Sequence, residues 1–279
     1  MPEPPSDCDW SVALFRRSAL KQRKLAELLQ MLGPTAGLRC LDLGSDNGVV
    51  SLLLRERGGS WASGDLTEEA VSSIRSLVGE DVHLVRADRL PFPDASFDRV
   101  AVVDMLEHVS DEAALASELA RVTKPGGLVV VNTPHLKRTG LRRLRHALGQ
   151  TDEKHGHLRP GYTPERLREL LQPAFELGYH RTYSRFFAEA VDTVLSWGME
   201  RLGKRSSAKG MVVTGDDLAR HRRMFRAYSA IYPLVWAVTC LDALVPASGY
   251  MLIAAARRRQ TAPAHAEQAA GEPDSLGRA

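Results

Sequence analysis

The chain has 279 residues, of which 44% are hydrophobic and 25% charged, with a formal net charge of +3. This length and mixture can bury a sizeable core in one large domain, and they exclude a collagenous repeat, a disulfide scaffold and wholesale disorder. Cys8, Cys40 and Cys240 are far apart and form no C-x-x-C pair; no structural zinc or disulfide framework is expected, and a reducing compartment is the natural setting.

Residues 1–12 are Pro-rich and acidic and are expected as a disordered tail. They lack the basic and apolar regions of a secretory signal, which gives a cytoplasmic expectation, with the inner face of a membrane as the alternative. One domain is expected over 13–256. Within it, residues 18–32 form an amphipathic helix with Leu20, Leu25, Leu28, Leu29 and Leu32 on one side. Between 38 and 132 short apolar runs alternate with helical stretches, the rhythm of parallel strands with crossover helices. Strands are predicted at 38–43, 61–65, 82–86, 97–103 and 128–131, and helices at 49–57, 68–77 and 111–122. This core, 18–135, is followed by an acceptor-side region, 136–185. That region holds a basic amphipathic stretch at 136–148, a helix from Thr163-Pro164-Glu165 and a strand at 175–184. A helical insert spans 186–245, and a last strand runs over 249–256. Residues 257–279 are rich in Ala, Pro, Glu and Gly and are expected as a second tail. The longest apolar stretch, 227–241, is broken by Pro233 and is too short to span a bilayer.

The informative segment is Leu41-Asp-Leu-Gly-Ser-Asp-Asn-Gly48. A strand ends, glycines allow a sharp reversal, and a helix begins, so backbone N–H groups face a ligand at the carboxyl edge of the sheet. The spacing is not the G-x-G-x-x-G of a dinucleotide site, and a carboxylate at Asp46 would repel a pyrophosphate. Asp42, Asp46, Asp65, Asp88 and Asp104 should all lie along this one edge. Such a rim suits a ligand with cationic groups and a ribose but no phosphate, and S-adenosylmethionine fits that description.

Five motifs in order carry a resemblance: residues 41–48, Gly64-Asp-Leu66, Ala87-Asp-Arg-Leu-Pro-Phe-Pro-Asp-Ala-Ser-Phe-Asp98, Asp104-Met-Leu-Glu-His-Val109 and Glu118-Leu-Ala-Arg-Val-Thr-Lys-Pro-Gly-Gly127. The chain resembles the class I S-adenosylmethionine-dependent methyltransferases, in the ubiquinone-methyltransferase-like group. The resemblance implies a Rossmann-like α/β fold: a seven-stranded, mostly parallel sheet whose last strand is antiparallel, with the helical insert before it. It also implies the roles at the cofactor. Asp42 and the turn Gly44, Ser45, Asp46, Gly48 would hold the methionine end. Asp65, beside Leu66, would accept from the ribose hydroxyls, Asp88 with Arg89 would meet the adenine, and Asp104 and Met105 would line the pocket beside the methyl group. Asp46 stands where the family commonly has Gly; Asp tolerates a left-handed backbone better than most residues.

Methyl transfer is an in-line displacement in which alignment supplies much of the rate, and a hydroxyl acceptor also needs a base. His108, which follows Glu107 beyond the fourth strand, and His155 and His157, on the loop before Tyr162, are the candidates. The H-x-H pair could ligate a metal, but no third ligand lies nearby in sequence, so none is expected. The insert carries Trp197, Phe225, Tyr228, Tyr232 and Trp236, which favours a small or lipid- or saccharide-linked acceptor, O- or N-methylated. Residues 40–135 hold 16 acidic and 8 basic side chains, a net of −8, whereas 136–226 hold 10 acidic and 19 basic, a net of +9. The cofactor half is therefore acidic. The acceptor half is basic beside an apolar helix, which points to an anionic or membrane-proximal acceptor and to peripheral membrane contact. Nucleic acid is not the expected partner, since aromatics are few and no RNA-binding module is present. Two rivals stay open: a cofactor-binding module without catalysis, and an RNA methyltransferase.

Overall fold

The computed structural model describes residues 7–137, 140–149, 156–201 and 215–260. Two helices, α1 (Asp7–Phe15) and α2 (Ala19–Leu32), precede the first strand. Residues 7–12 are thus helical rather than part of a disordered tail. The alternating part follows as β1 (Arg39–Leu43), α3 (Val49–Arg55), β2 (Ser60–Asp65), α4 (Glu68–Val78), β3 (Val82–Leu84), β4 (Phe97–Val103), α5 (Glu112–Val122) and β5 (Thr123–Pro134). Then come α6 (Gly140–Ala147), α7 (Pro164–Leu171), β6 (Phe175–Tyr183), α8 (Phe186–Arg201), α9 (Gly215–Cys240) and β7 (Met251–Arg258). β7 ends two residues past its expected limit; the tail beyond residue 260 lies outside the described residues.

The helix starts are written in the sequence. Ser18, Thr67, Asp111 and Thr163 each sit at an N-cap and accept from a backbone N–H three residues on, which satisfies a donor the helix itself cannot. Pro164 then occupies the first turn of α7, where its missing N–H costs nothing.

The seven strands form one sheet in the order β3-β2-β1-β4-β5-β7-β6. β1 pairs in parallel with β2 and β4, whereas β7 runs antiparallel between β5 and β6. Alternate residues feed opposite faces. Leu41, Leu43, Val100 and Val102 pack toward Leu115 and Leu119 of α5 and Leu167 and Leu171 of α7. Cys40, Ala101 and Val103 pack toward Leu28 and Leu32 of α2 and Leu53 and Leu54 of α3. The reversal of strand order at β1 and β4 leaves a crevice at their carboxyl ends, where ligands of open α/β sheets bind.

The insert is anchored by a buried acid. Asp242, in the short turn after α9, accepts from the backbone N–H of Arg185 at 2.6 Å and of Phe187 at 2.7 Å. It therefore caps α8 from 55 residues away. Among the described residues no helix is long and apolar enough to cross a membrane.

Two stability predictions follow from these contacts. Asp242→Ala strips the start of α8 of its acceptor and should cost about 2 kcal/mol in urea unfolding. Glu112 accepts from the Tyr162 hydroxyl at 2.6 Å and pairs with Arg159 and Arg166. Its burial alone would raise the carboxyl, but these partners outweigh it and hold it below the usual glutamate range. The stability it contributes is complete above a pH of about 4.3 and fades as pH falls toward the lower folded-state value. Glu112→Gln should flatten that acid slope in unfolding curves recorded between about pH 5 and 2.

Candidate functional site

The turn between β1 and α3 is built on a buried carboxylate. Asp42 has no exposed surface and accepts from the hydroxyls of Ser51 and Ser63 and from Arg55 at 3.4 Å. Burial pushes its carboxyl upward, opposed by those three partners. Asp42 therefore ties α3 and β2 to β1 beneath the turn; its oxygens are engaged by protein. Ser45 is buried too, and its hydroxyl accepts from the backbone N–H of Ser51 at 2.9 Å.

The glycines serve the reversal and its close packing. Gly44 has a φ of 80°, and a Cβ there would fall 2.3 Å from the Val103 carbonyl oxygen. Gly48 has a φ of 79°, and a Cβ would fall 2.7 Å from the Cα of Ile74. Asp46 adopts the left-handed region, with a φ of 58°, as its side chain permits.

Three of the expected acids converge at the mouth of this turn. The Asp65 carboxylate accepts from the backbone N–H of Asp46 at 3.1 Å and of Leu66 at 2.7 Å, so it is held in place across two elements. Asp46 Oδ1 is buried and has no hydrogen-bond partner among the described residues. Asp104, with a φ of 45°, accepts from Asn132 Nδ2 at 2.7 Å and forms an ion pair with Lys24 of α2. Met105 is buried, with its Cβ against Gly44.

Asp88 and Arg89 lie in the exposed turn after β3. Asp88 is bound in two places by Arg86, at 3.0 and 2.8 Å, which holds its carboxyl below the usual range. An adenine contact there would have to share Asp88 with Arg86.

Sequence reasoning missed the cations. Lys24 and Lys21 stand one turn apart on the polar side of α2, and nothing in the sequence joins that helix to the sheet edge. Lys21 is exposed. Desolvation by neighbouring protein, and then Lys24, push its ammonium below the usual lysine range, while Asp46, Asp192 and Asp104 oppose the shift.

On the acceptor side, His108 sits in a single 3-10 turn after β4, Leu106–His108. Its Nδ1 lies 2.9 Å from the Gly156 carbonyl oxygen, and its ring packs edge-on against that of His157, with centroids 4.9 Å apart. His155 lies outside the described residues. Of the H-x-H pair, the described residues place His157 beside Glu107 and His108. Glu107, His108 and His157 bring one ligand atom each to within 4.8 Å of one another.

The residues present fit S-adenosylmethionine. An orphaned buried carboxylate oxygen at Asp46 requires a donor, and the cofactor carries an ammonium and ribose hydroxyls. Lysines beside aspartates also match the two charges of its amino-acid end.

Comparison with known proteins bears on the same segment. Residues 41–131 match the family profile described as a methyltransferase domain. The chain is 34% identical over 113 residues to a ubiquinone biosynthesis O-methyltransferase of Ralstonia nicotianae, covering 38% of this chain and 48% of that one. It is 38% identical over 104 residues to a demethylmenaquinone methyltransferase of Clavibacter sepedonicus, covering 36% and 42%. The match therefore spans under half the length of either relative. Among solved structures, the [4+2]-cyclase SpnF superposes with a TM-score of 0.55 at 19% identity, over 86% of this chain and 81% of that one. Its description as a cyclase shows that this fold does not by itself dictate the reaction. The turn and the acid rim lie within residues 41–131, the segment that matches a methyltransferase domain.

Proposed function

We propose that the protein transfers a methyl group from S-adenosylmethionine to an oxygen or nitrogen of a small or lipid- or saccharide-linked acceptor. The observation that carries this reading is the Asp65 carboxylate, fixed by two backbone N–H groups beside the orphaned oxygen of Asp46. When bound, the cofactor supplies a methyl group on a sulfonium. The chain's own residues bind and orient. Asp65 would accept from the ribose diol, and Asp46 and Asp104 would meet the ammonium. Lys24 would face the carboxylate, and the Gly44–Gly48 backbone would close against the methionine end. Asp42 would act from below, by holding the turn. Asp88 and Arg89 would border the adenine, and Met105 would back the wall nearest the methyl.

The acceptor would enter between this edge and the insert. His108 and His157 would face it, and His155 belongs to the same loop. The relatives act in ubiquinone biosynthesis and on demethylmenaquinone, as their names state, which supports an acceptor with an apolar part. The exposed apolar side chains of the insert, Val194, Ile231, Leu234 and Leu244, support the same class and a peripheral membrane contact.

Isothermal titration separates these roles. Asp65→Ala should weaken binding of both S-adenosylmethionine and S-adenosylhomocysteine by about 10- to 100-fold, the loss expected for hydrogen bonds to a charged group. An unchanged affinity in a folded variant would remove Asp65 from the site. Lys24→Met should weaken S-adenosylmethionine by about tenfold and leave decarboxylated S-adenosylmethionine, which has no carboxylate, bound as before. Labelled-methyl transfer to extracted lipids and small molecules then tests catalysis; binding with no transfer to any fraction would favour the cofactor-binding module instead.

A further inference from the structure

The cluster beyond β4 has chemistry that methyl-group alignment does not use. Glu107 is fully buried, and an ionised carboxylate in that setting costs several kcal/mol unless charge or hydrogen bonds compensate it. Thr133 donates to its Oε2 at 3.2 Å, which sets the direction of the carboxylate. The Leu158 N–H donates to the Glu107 carbonyl oxygen at 2.8 Å. That bond fastens the loop of His157 to the turn that carries Glu107 and His108.

The protonation of His108 is also fixed by its surroundings. A carbonyl oxygen only accepts, so in the neutral ring the Gly156 contact places the proton on Nδ1 and makes Nε2 the acceptor atom. This is the second-sphere arrangement that orients a metal-binding imidazole. Two imidazoles and one carboxylate then meet within 4.8 Å, from segments about 50 residues apart in the chain.

We propose that Glu107, His108 and His157 form a binding site for a divalent first-row transition cation at the acceptor side of the crevice. Two imidazoles select against magnesium and calcium, and the carboxylate adds the charge that manganese and zinc favour. Three protein ligands leave coordination positions open, and the site lies three residues past Asp104, on the same edge of the sheet. The open positions are for an acceptor oxygen. A cation there lowers the pKa of that hydroxyl, and its proton leaves to solvent. This deepens the methyltransferase reading by favouring a hydroxyl acceptor over an amine, and it gives the two imidazoles a ligating role in place of a basic one.

Metal binding is measurable without any transfer assay. The full chain, stripped with chelator, is titrated with Mn2+ by electron paramagnetic resonance and with Zn2+ by calorimetry. One site per chain is expected, weakened about tenfold or more in both Glu107→Gln and His157→Ala. Circular dichroism of each variant confirms that it folds. Because the Glu107 change lies in the core, the half-buried His157 variant decides the matter alone if the other is unfolded. No stoichiometric binding, or binding that a folded His157→Ala leaves intact, overturns the site. Titration of the parent with S-adenosylmethionine runs beside it. Lost metal binding with retained cofactor binding sinks this proposal only, and the reverse sinks the cofactor reading only.

Discussion

A carboxylate sealed beneath the sheet edge sets the geometry of everything above it. Asp42 has no contact with solvent, so its oxygens must be satisfied by protein. Ser51 and Arg55 reach it from α3 and Ser63 from β2. Arg55 also donates to the Ser63 hydroxyl at 2.9 Å and to the Trp61 carbonyl oxygen at 2.9 Å. These bonds close only if α3 starts directly over the end of β1. The chain then has from Gly44 to Gly48 in which to reverse, and left-handed residues at 44, 46 and 48 are the consequence. Asp42 thus shapes the turn on which the proposed cofactor site stands.

The rim inherits its rigidity from that reversal. The N–H of Asp46 anchors Asp65, so the first two strands present their acids in a fixed relation. At β4 a second chain of bonds does the same. Tyr183 is buried, and burial raises its hydroxyl far above its ordinary value. It therefore stays protonated and donates to Asn132 Oδ1. With its oxygen so engaged, Asn132 turns its Nδ2 to Asp104, while its carbonyl accepts from the Asp104 N–H at 2.9 Å. Preorganised acceptors of this kind spare a ligand the cost of ordering them.

Local pattern made the core of the fold legible. The run from Phe97 to Val103 is apolar enough to be a strand buried on both faces, and the structure gives it the same limits. The Thr163-Pro164 pair marked the start of α7, whose N-cap is Thr163. The acids at the ends of β1, β2 and β4 were readable because a parallel sheet delivers every strand end to one edge. What stayed hidden was contact between segments with no shared periodicity. Lys24 is one polar residue of an amphipathic helix until α2 packs beside β4. Glu107 and His157 are 50 residues apart, and bonds such as that from the Leu158 N–H to the Glu107 carbonyl join their segments only in the folded chain. Asp242 reads as the end of an apolar run, although it caps a helix that begins at Phe186.

The charge segregation in the sequence also changes meaning in three dimensions. A basic block beside an apolar helix suggests a surface that attracts anions. Yet Lys137 is paired with Glu189 at 2.9 Å, with both side chains nearly buried. Arg145 is buried, 3.4 Å from Asp192 and stacked over the Tyr250 ring. Both cations lie at or near α6, and both acids lie on α8. These charges clamp the insert to the end of the sheet, where salt screens them far less than it would on an open surface. Among the described residues, the insert also turns Val194, Ile231, Leu234 and Leu244 outward. At the two ion pairs electrostatics organises the inside of this half, while the exposed apolar side chains would draw an apolar partner through area removed from water.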